Sequence, residues 1–133
     1  MSQFQLEIIT PDGVAFSGAC ESLLVRTAVG DVEILRGHAD YFSAVATGRV
    51  RIIADGKHRY AAASGGFISV LGGKVMLAPV TFEFSEDIDK ARAEEAKENA
   101  EAKISAATDE KELEIAKAKL SRALARLDAL SMR

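Results

Sequence analysis

The charged side chains with the most chemical promise lie on both arms of one late segment of the chain. In EDIDKARAEE, residues 86–95, Asp89 and Arg92 stand three apart, and near the C-terminus Arg122 and Arg126 stand four apart. Each spacing is about one helical turn, so each pair shares a helix face. Arginine forks suit phosphate oxygens, because planar N–H donors meet an oxyanion two bonds at a time. A carboxylate close by, from Asp89 or from Glu83 just upstream, could accept hydrogen bonds from an amino group or a ribose. Gathered in one place, these residues could hold a nucleotide without a P-loop, a motif the chain lacks. They also read as an ordinary solvated helix face, with the Asp89–Arg92 pair worth only about 0.3 kcal/mol. The choice between the two depends on whether the fold brings the arginines together.

The elements that must do so belong to two regimes. Every glycine, both prolines and every aromatic residue fall before position 85, and the last 49 residues are dominated by Ala, Glu, Lys, Leu and Arg. The first regime reads as short strands: FQLEII before the turn TPDG, then SLLVRTA, VRIIAD, KHRYAAA, GFISVL, KVMLA and TFEF. Asp55-Gly56 and Gly72-Gly73 are the residue pairs that two-residue hairpins with positive φ require. The second regime reads as two helices. Ala93, Ala96, Ala100, Ile104 and Ala107 recur at three and four, as do Leu113, Ala116, Leu120, Ala123, Leu127 and Leu130. Thr108 and Asp109 interrupt the pattern and can cap the second helix. The expected class is α+β: an antiparallel β-sandwich over 1–84, then an antiparallel two-helix hairpin over 85–133.

With its turn near 107, such a hairpin sets Arg92 and Arg122 each about 22 Å from the turn, and so near one another. Arg126 follows one turn beyond Arg122. Three like charges repel unless an anion sits among them. Alanine allows close helix approach but buries little area, so the first helix holds its partner weakly and the hairpin could open. Charge is uneven too. Residues 117–133 carry Lys117, Lys119, Arg122, Arg126 and Arg133 against Asp128 alone, whereas residues 85–116 are acidic, so a released second helix would seek an acidic partner.

Bulk properties exclude several classes. A net charge of −3 argues against nucleic acid as a partner, and no apolar run approaches the length of a bilayer span. The N-terminus lacks a signal-peptide pattern, and the single cysteine suits a reducing compartment. Cys20 reads as a strand residue, not a nucleophile. His38 and His58 lie in separate β segments without a third ligand at metal-like spacing, so no catalytic residue, metal site or catalytic cofactor is expected. Gly65-Gly66 lacks a following helix and reads as a strand-entry turn.

TPDG, GDVEILRGH at 30–38 and SGGFISV at 64–70, in that order and ahead of a helical hairpin, resemble landmarks of the epsilon-subunit family of bacterial F-type ATP synthases. The resemblance covers the whole chain. It implies a non-catalytic central-stalk subunit, peripheral on the cytoplasmic face of the bacterial plasma membrane. Its sandwich would couple the gamma subunit to the membrane-embedded c-ring, and its hairpin would reach the alpha/beta catalytic head when extended. Ile88-Asp89-Lys90-Ala91-Arg92-Ala93 is similar to the motif of members that bind ATP in the folded hairpin. The resemblance thus implies ATP as a regulatory ligand, held by Glu83, Ile88, Asp89, Arg92, Ala93, Arg122 and Arg126. Asn99 departs from the arginine of some such members. The segment at 30–38 departs from the commoner pattern with Glu33 for a glycine and Arg36 for a proline. The same resemblance implies contact with the polar c-ring loops through Asp31, Glu33 and His38, which otherwise read as a solvated turn. The rival reading is a free-standing β-domain adaptor whose hairpin binds a partner or nucleotide.

Overall fold

The computed structural model describes residues 2–132, so Arg133 in the basic stretch lies outside the described residues. Ten strands form two five-stranded sheets. They are β1 Phe4–Thr10, β2 Gly13–Cys20, β3 Ser22–Thr27, β4 Gly30–Ile34, β5 Tyr41–Ala44, β6 Gly48–Ala54, β7 Lys57–Ser64, β8 Phe67–Leu71, β9 Lys74–Ala78 and β10 Thr81–Phe84. One sheet runs β2-β1-β9-β8-β5 and the other β10-β7-β6-β3-β4. The ladders are antiparallel except that β1 pairs with β9 in parallel. A single 3₁₀ turn, Ser85–Asp87, leads to α1 Lys90–Ala106 and α2 Glu110–Ser131.

Three of these strands, β2, β4 and β5, were not among the expected segments, and all three are sheet edges. Edge strands are often short, charged or glycine-bearing, which blurs the period-2 signal that a central strand shows. The segment at 30–38, expected as a turn or loop, is accordingly strand β4 as far as Ile34 and only then leaves the sheet.

Alternation fills the sandwich. Leu6 and Ile8 on β1, Leu23 and Val25 on β3, Val50 and Ile52 on β6, Ile68 and Val70 on β8 and Leu77 on β9 are buried between the sheets. Cys20 is fully buried with them, its thiol directed at the Ser22 carbonyl at 3.0 Å. Burial pushes that thiol above its ordinary range, and the carbonyl contacts oppose the shift only in part.

The turns need their glycines. Asp55 and Gly56 have φ of 53° and 72°, and Gly72 and Gly73 have 56° and 81°, the left-handed pairs that tight hairpins demand. Gly66 is constrained twice over, because φ is +77° and a Cβ there would lie 1.9 Å from the Ala78 carbonyl oxygen.

The hairpin lies against the outer face of β6 and β7, with α2 next to the sheet and α1 against α2. Ala125 and Ala129 of α2 pack with Ala62 of β7, Ile88 and Ala93, in a cluster separate from the sandwich core. Asp89 caps α1 by accepting from the Arg92 amide at 3.2 Å, and Asp109 caps α2 through the Glu112 amide at 2.8 Å. Thr108 donates through both its amide and its hydroxyl to Glu112. Residues 107–109 therefore form the break, as the sequence pattern anticipated.

Two measurements check this packing. Gly56→Ala, with open space around it, should cost about 1–2 kcal/mol for left-handed backbone alone. Gly66→Ala should lower the thermal midpoint further, and equal losses would contradict the close approach to Ala78. Cys20 should resist a disulfide-exchange reagent in native buffer and react fully in denaturant.

Candidate functional site

The junction between β10 and α1 sets the geometry. Glu83 is the third residue of β10, and its side chain leaves the sheet edge toward α2. There its Oε1 accepts from Arg126 Nε at 3.1 Å. Ile88 follows the 3₁₀ turn and is buried, anchoring the entry to α1 against Ala93, Ala125 and Ala129. Small side chains at these positions bring the elements close without filling the space between their polar rims.

A recess of ≈ 240 Å³ results, lined by Glu83, Asp87, Ile88, Asp89, Arg92, Ala93, Ala96 and Arg126. Six of the seven residues singled out for ATP thus share one cavity. The seventh, Arg122, lines the next recess along the helices, of ≈ 260 Å³, with Ala96, Asn99, Ala100, Lys103, Lys119 and Arg126. Arg92 therefore stands across from Arg126, and Arg122 across from Asn99. A hairpin centred near 107 would set Arg92 opposite Arg122. The extended linker at 107–109 moves that centre toward the second helix and shifts the cross-helix partners by about one turn.

Arg126 and Ala96 belong to both recesses, so the two form one groove between α1 and α2. Its junction end offers Glu83, Asp87 and Asp89, and its turn end offers Arg122, Lys103 and Lys119. Arg126 lies between, with its side chain 39% exposed. Such a groove can take a ligand with hydrogen-bond donors at one end and negative charge at the other. On its sheet side α2 also borders a polar recess of ≈ 270 Å³ where Arg122 and Arg126 meet Thr47 and Ser64, whose hydroxyls lie 2.7 Å apart. Lys103 and Lys119 were not singled out as ligand residues. The available signal was spacing, four after Asn99 and three before Arg122.

The three residues linked to c-ring contact sit elsewhere. Asp31 and Glu33 lie on edge strand β4 and are tied within the sheet. Asp31 pairs with Arg26 Nε at 3.0 Å, and the guanidinium holds its carboxyl below the usual carboxylate range. Glu33 accepts from Arg51 at 2.6 Å and from the Ser22 hydroxyl at 2.7 Å. His38 lies in the loop beyond, its Nδ1 2.7 Å from the Ala39 carbonyl oxygen and its ring edge-on to Tyr41. Both carboxylates keep substantial exposure. Among the described residues no group of three or more His, Cys, Asp or Glu is placed to hold a metal ion, and no helix is long and apolar enough to cross a membrane.

Comparison with known proteins identifies both halves. Residues 3–84 match the family model described as ATP synthase, Delta/Epsilon chain, beta-sandwich domain, and residues 86–131 match its long alpha-helix domain. The chain is 38% identical over 133 residues to the ATP synthase epsilon chain of Ruminiclostridium cellulolyticum, covering 100% of this chain and 99% of that one. It is 37% identical over 128 residues to the epsilon chain of Ruminococcus albus, covering 96% of each. Among solved structures, a chain of the Euglena gracilis mitochondrial ATP synthase, in an assembly of OSCP, F1 and c-ring, superposes with a TM-score of 0.87 at 26% identity, covering 98% of this chain and 82% of that one. A chain from the central stalk and c-ring assembly of the Tetrahymena thermophila enzyme shares the fold, with a TM-score of 0.65 at 12% identity, covering 95% of each chain. The chain belongs to the ATP synthase delta/epsilon family, as an epsilon-type, non-catalytic subunit.

Proposed function

We propose that the chain works in the central stalk of a proton-translocating F-type ATP synthase, at the cytoplasmic face of the bacterial plasma membrane, as a rotor-coupling subunit with an ATP-sensitive hairpin. The sandwich is the coupling part. Its first sheet is not covered by the hairpin and presents apolar side chains, with Phe42 70% exposed and stacked on Phe67 at 5.3 Å. That face suits a protein partner, the gamma subunit. Asp31, Glu33 and His38 offer polar contacts to c-ring loops.

The observation that carries the regulatory part is the shared recess, in which Glu83, Ile88, Asp89, Arg92, Ala93 and Arg126 meet. Bound ATP would place its phosphates among Arg92, Arg126 and Arg122, its donors against Glu83 and Asp89, and its base against Ile88. Because these residues come from β10, α1 and α2, the ligand binds well only while the helices lie side by side. A ligand shifts a population by its differential affinity for the two states and by nothing else, so ATP favours the folded hairpin. When ATP is scarce the hairpin extends, and α2 carries its basic end to acidic surfaces of the alpha/beta head, restraining hydrolysis. Ile115 and Leu124, 49% and 45% exposed in the folded hairpin, gain a burial site in that state.

Two experiments test this. Calorimetry of the chain should show ATP binding that weakens by about 1.5–3 kcal/mol in Arg92→Ala and in Arg126→Ala, the size of a lost charged hydrogen bond. Unchanged affinity in both would remove the site. In the assembled enzyme, a fluorescent pair on the sandwich and on residue 131 should move closer as ATP rises. A distance indifferent to ATP would refute the switch even if ATP binds.

A further inference from the structure

Two lysines outside the residues assigned to ATP stand at the turn end of the groove. Lys103 on α1 and Lys119 on α2 line the ≈ 260 Å³ recess with Asn99, Arg122 and Arg126. They also face the adjoining recess beside Ile115 and Glu112. Both thus line the same two recesses, and Lys103, followed by slight desolvation and by Arg122, holds the Lys119 ammonium below its ordinary range. An ammonium has donors and no acceptor, so two that share a recess repel and cannot satisfy one another. Among the described residues neither lysine is ion-paired with a carboxylate. Glu112 is engaged instead with Thr108, where it stabilises the start of α2. No carboxylate among the described residues neutralises the pair, and an anion with several oxygens would accept from both.

The groove's polarity says which anion. Carboxylates and the buried Ile88 occupy the junction end, Arg92 and Arg126 follow, and Arg122 and the lysine pair close the turn end. From Arg126 to Lys119 is seven residues of α2, about 10 Å along the axis, a span suited to a chain of linked phosphates. We propose that Lys103 and Lys119 form a subsite for the terminal phosphate of a nucleoside triphosphate and so set a preference for tri- over diphosphates. This rests on the reading of the groove as a nucleotide site and adds its specificity. Arg122 and Arg126 hold the inner phosphates, which ATP and ADP share. The lysines meet only the third, which brings both the extra charge and the extra oxygens. Asn99 supplies a neutral amide at this level, so cationic selection falls to the lysines.

The test uses the full chain and the variants Lys103→Gln, Lys119→Gln and the double substitution, titrated with ATP, ADP and inorganic tripolyphosphate. Glutamine keeps side-chain length and helix propensity, and removing one of two repelling charges on exposed helix faces should raise the ligand-free thermal midpoint. ATP and tripolyphosphate binding should weaken about tenfold or more in the double variant, the loss expected for charged hydrogen bonds, while ADP stays within about twofold. The ATP-to-ADP preference should therefore collapse. Equal weakening of ATP and ADP, or an unchanged preference, overturns the terminal-phosphate subsite while leaving the nucleotide site standing. Failure of wild type to bind ATP and ADP removes the nucleotide site itself. Tripolyphosphate binding that depends on both lysines would then still support the polyanion subsite, and no binding of any probe overturns both.

Discussion

The structure depends on the smallness of the side chains that hold the hairpin to the sandwich. Ala125 and Ala129 meet Ala62, and Ala93 with Ile88 closes the cluster. The partly buried Tyr60, Leu127 and Leu130 pack around it, and at roughly 0.8 kcal/mol per buried carbon the cluster still contributes less than the larger aliphatic core between the sheets. Docking is consequently close in distance and smaller in apolar burial than the sandwich core. The closeness creates the groove, because alanines let helices approach while the longer polar side chains stand around the contact. The hairpin cluster is separate from the sandwich core, so the core does not rely on it.

Charge then decides what the groove can recognise. Arg126 sits at its centre and is already engaged by Glu83, each side chain about 40% exposed, a pair that in water contributes little net stability. Its value lies in orientation, since Glu83 holds the guanidinium over the recess with donors to spare. The Arg59 guanidinium pairs with Glu86 at 2.7 Å and lies 3.7 Å from the centre of the Phe84 ring, steadying the 3₁₀ turn against β7. Beyond Glu86, the buried Ile88 ties the entry of α1 to Ala93, Ala125 and Ala129.

The sandwich carries its own ion pairs on the edge farthest in the sheet order from β10. Arg26 with Asp31, and Arg51 with Glu33 and Ser22, tie β3, β4 and β6 across the outer face. An edge strand crossed by ion pairs resists pairing with other chains, which leaves its exposed carboxylates for polar contacts.

Much of this was legible in the residues themselves. Central strands announced themselves because one face is buried and the other is open, as in FQLEII and KVMLA, and the tight turns did so because only glycine or a residue such as Asp55 accepts positive φ. The loss of glycine and aromatics after Phe84 marked the helices, and Thr108 and Asp109 marked the start of the second, whereas Asp89, read as part of a helix face with Arg92, is the cap of the first. The edge strands β2, β4 and β5 were silent, since a strand paired on one side tolerates glycine, charge and short length. Local pattern likewise identified Arg92, Arg122 and Arg126 as arginines on helix faces but not which would meet. Register between two helices depends on the conformation of three linker residues, and a shift of two positions there exchanges one cross-helix neighbour for another. Tertiary structure alone placed Arg92 opposite Arg126 and brought Lys103 against Lys119, because side chains distant in sequence become neighbours only through packing that no single segment encodes.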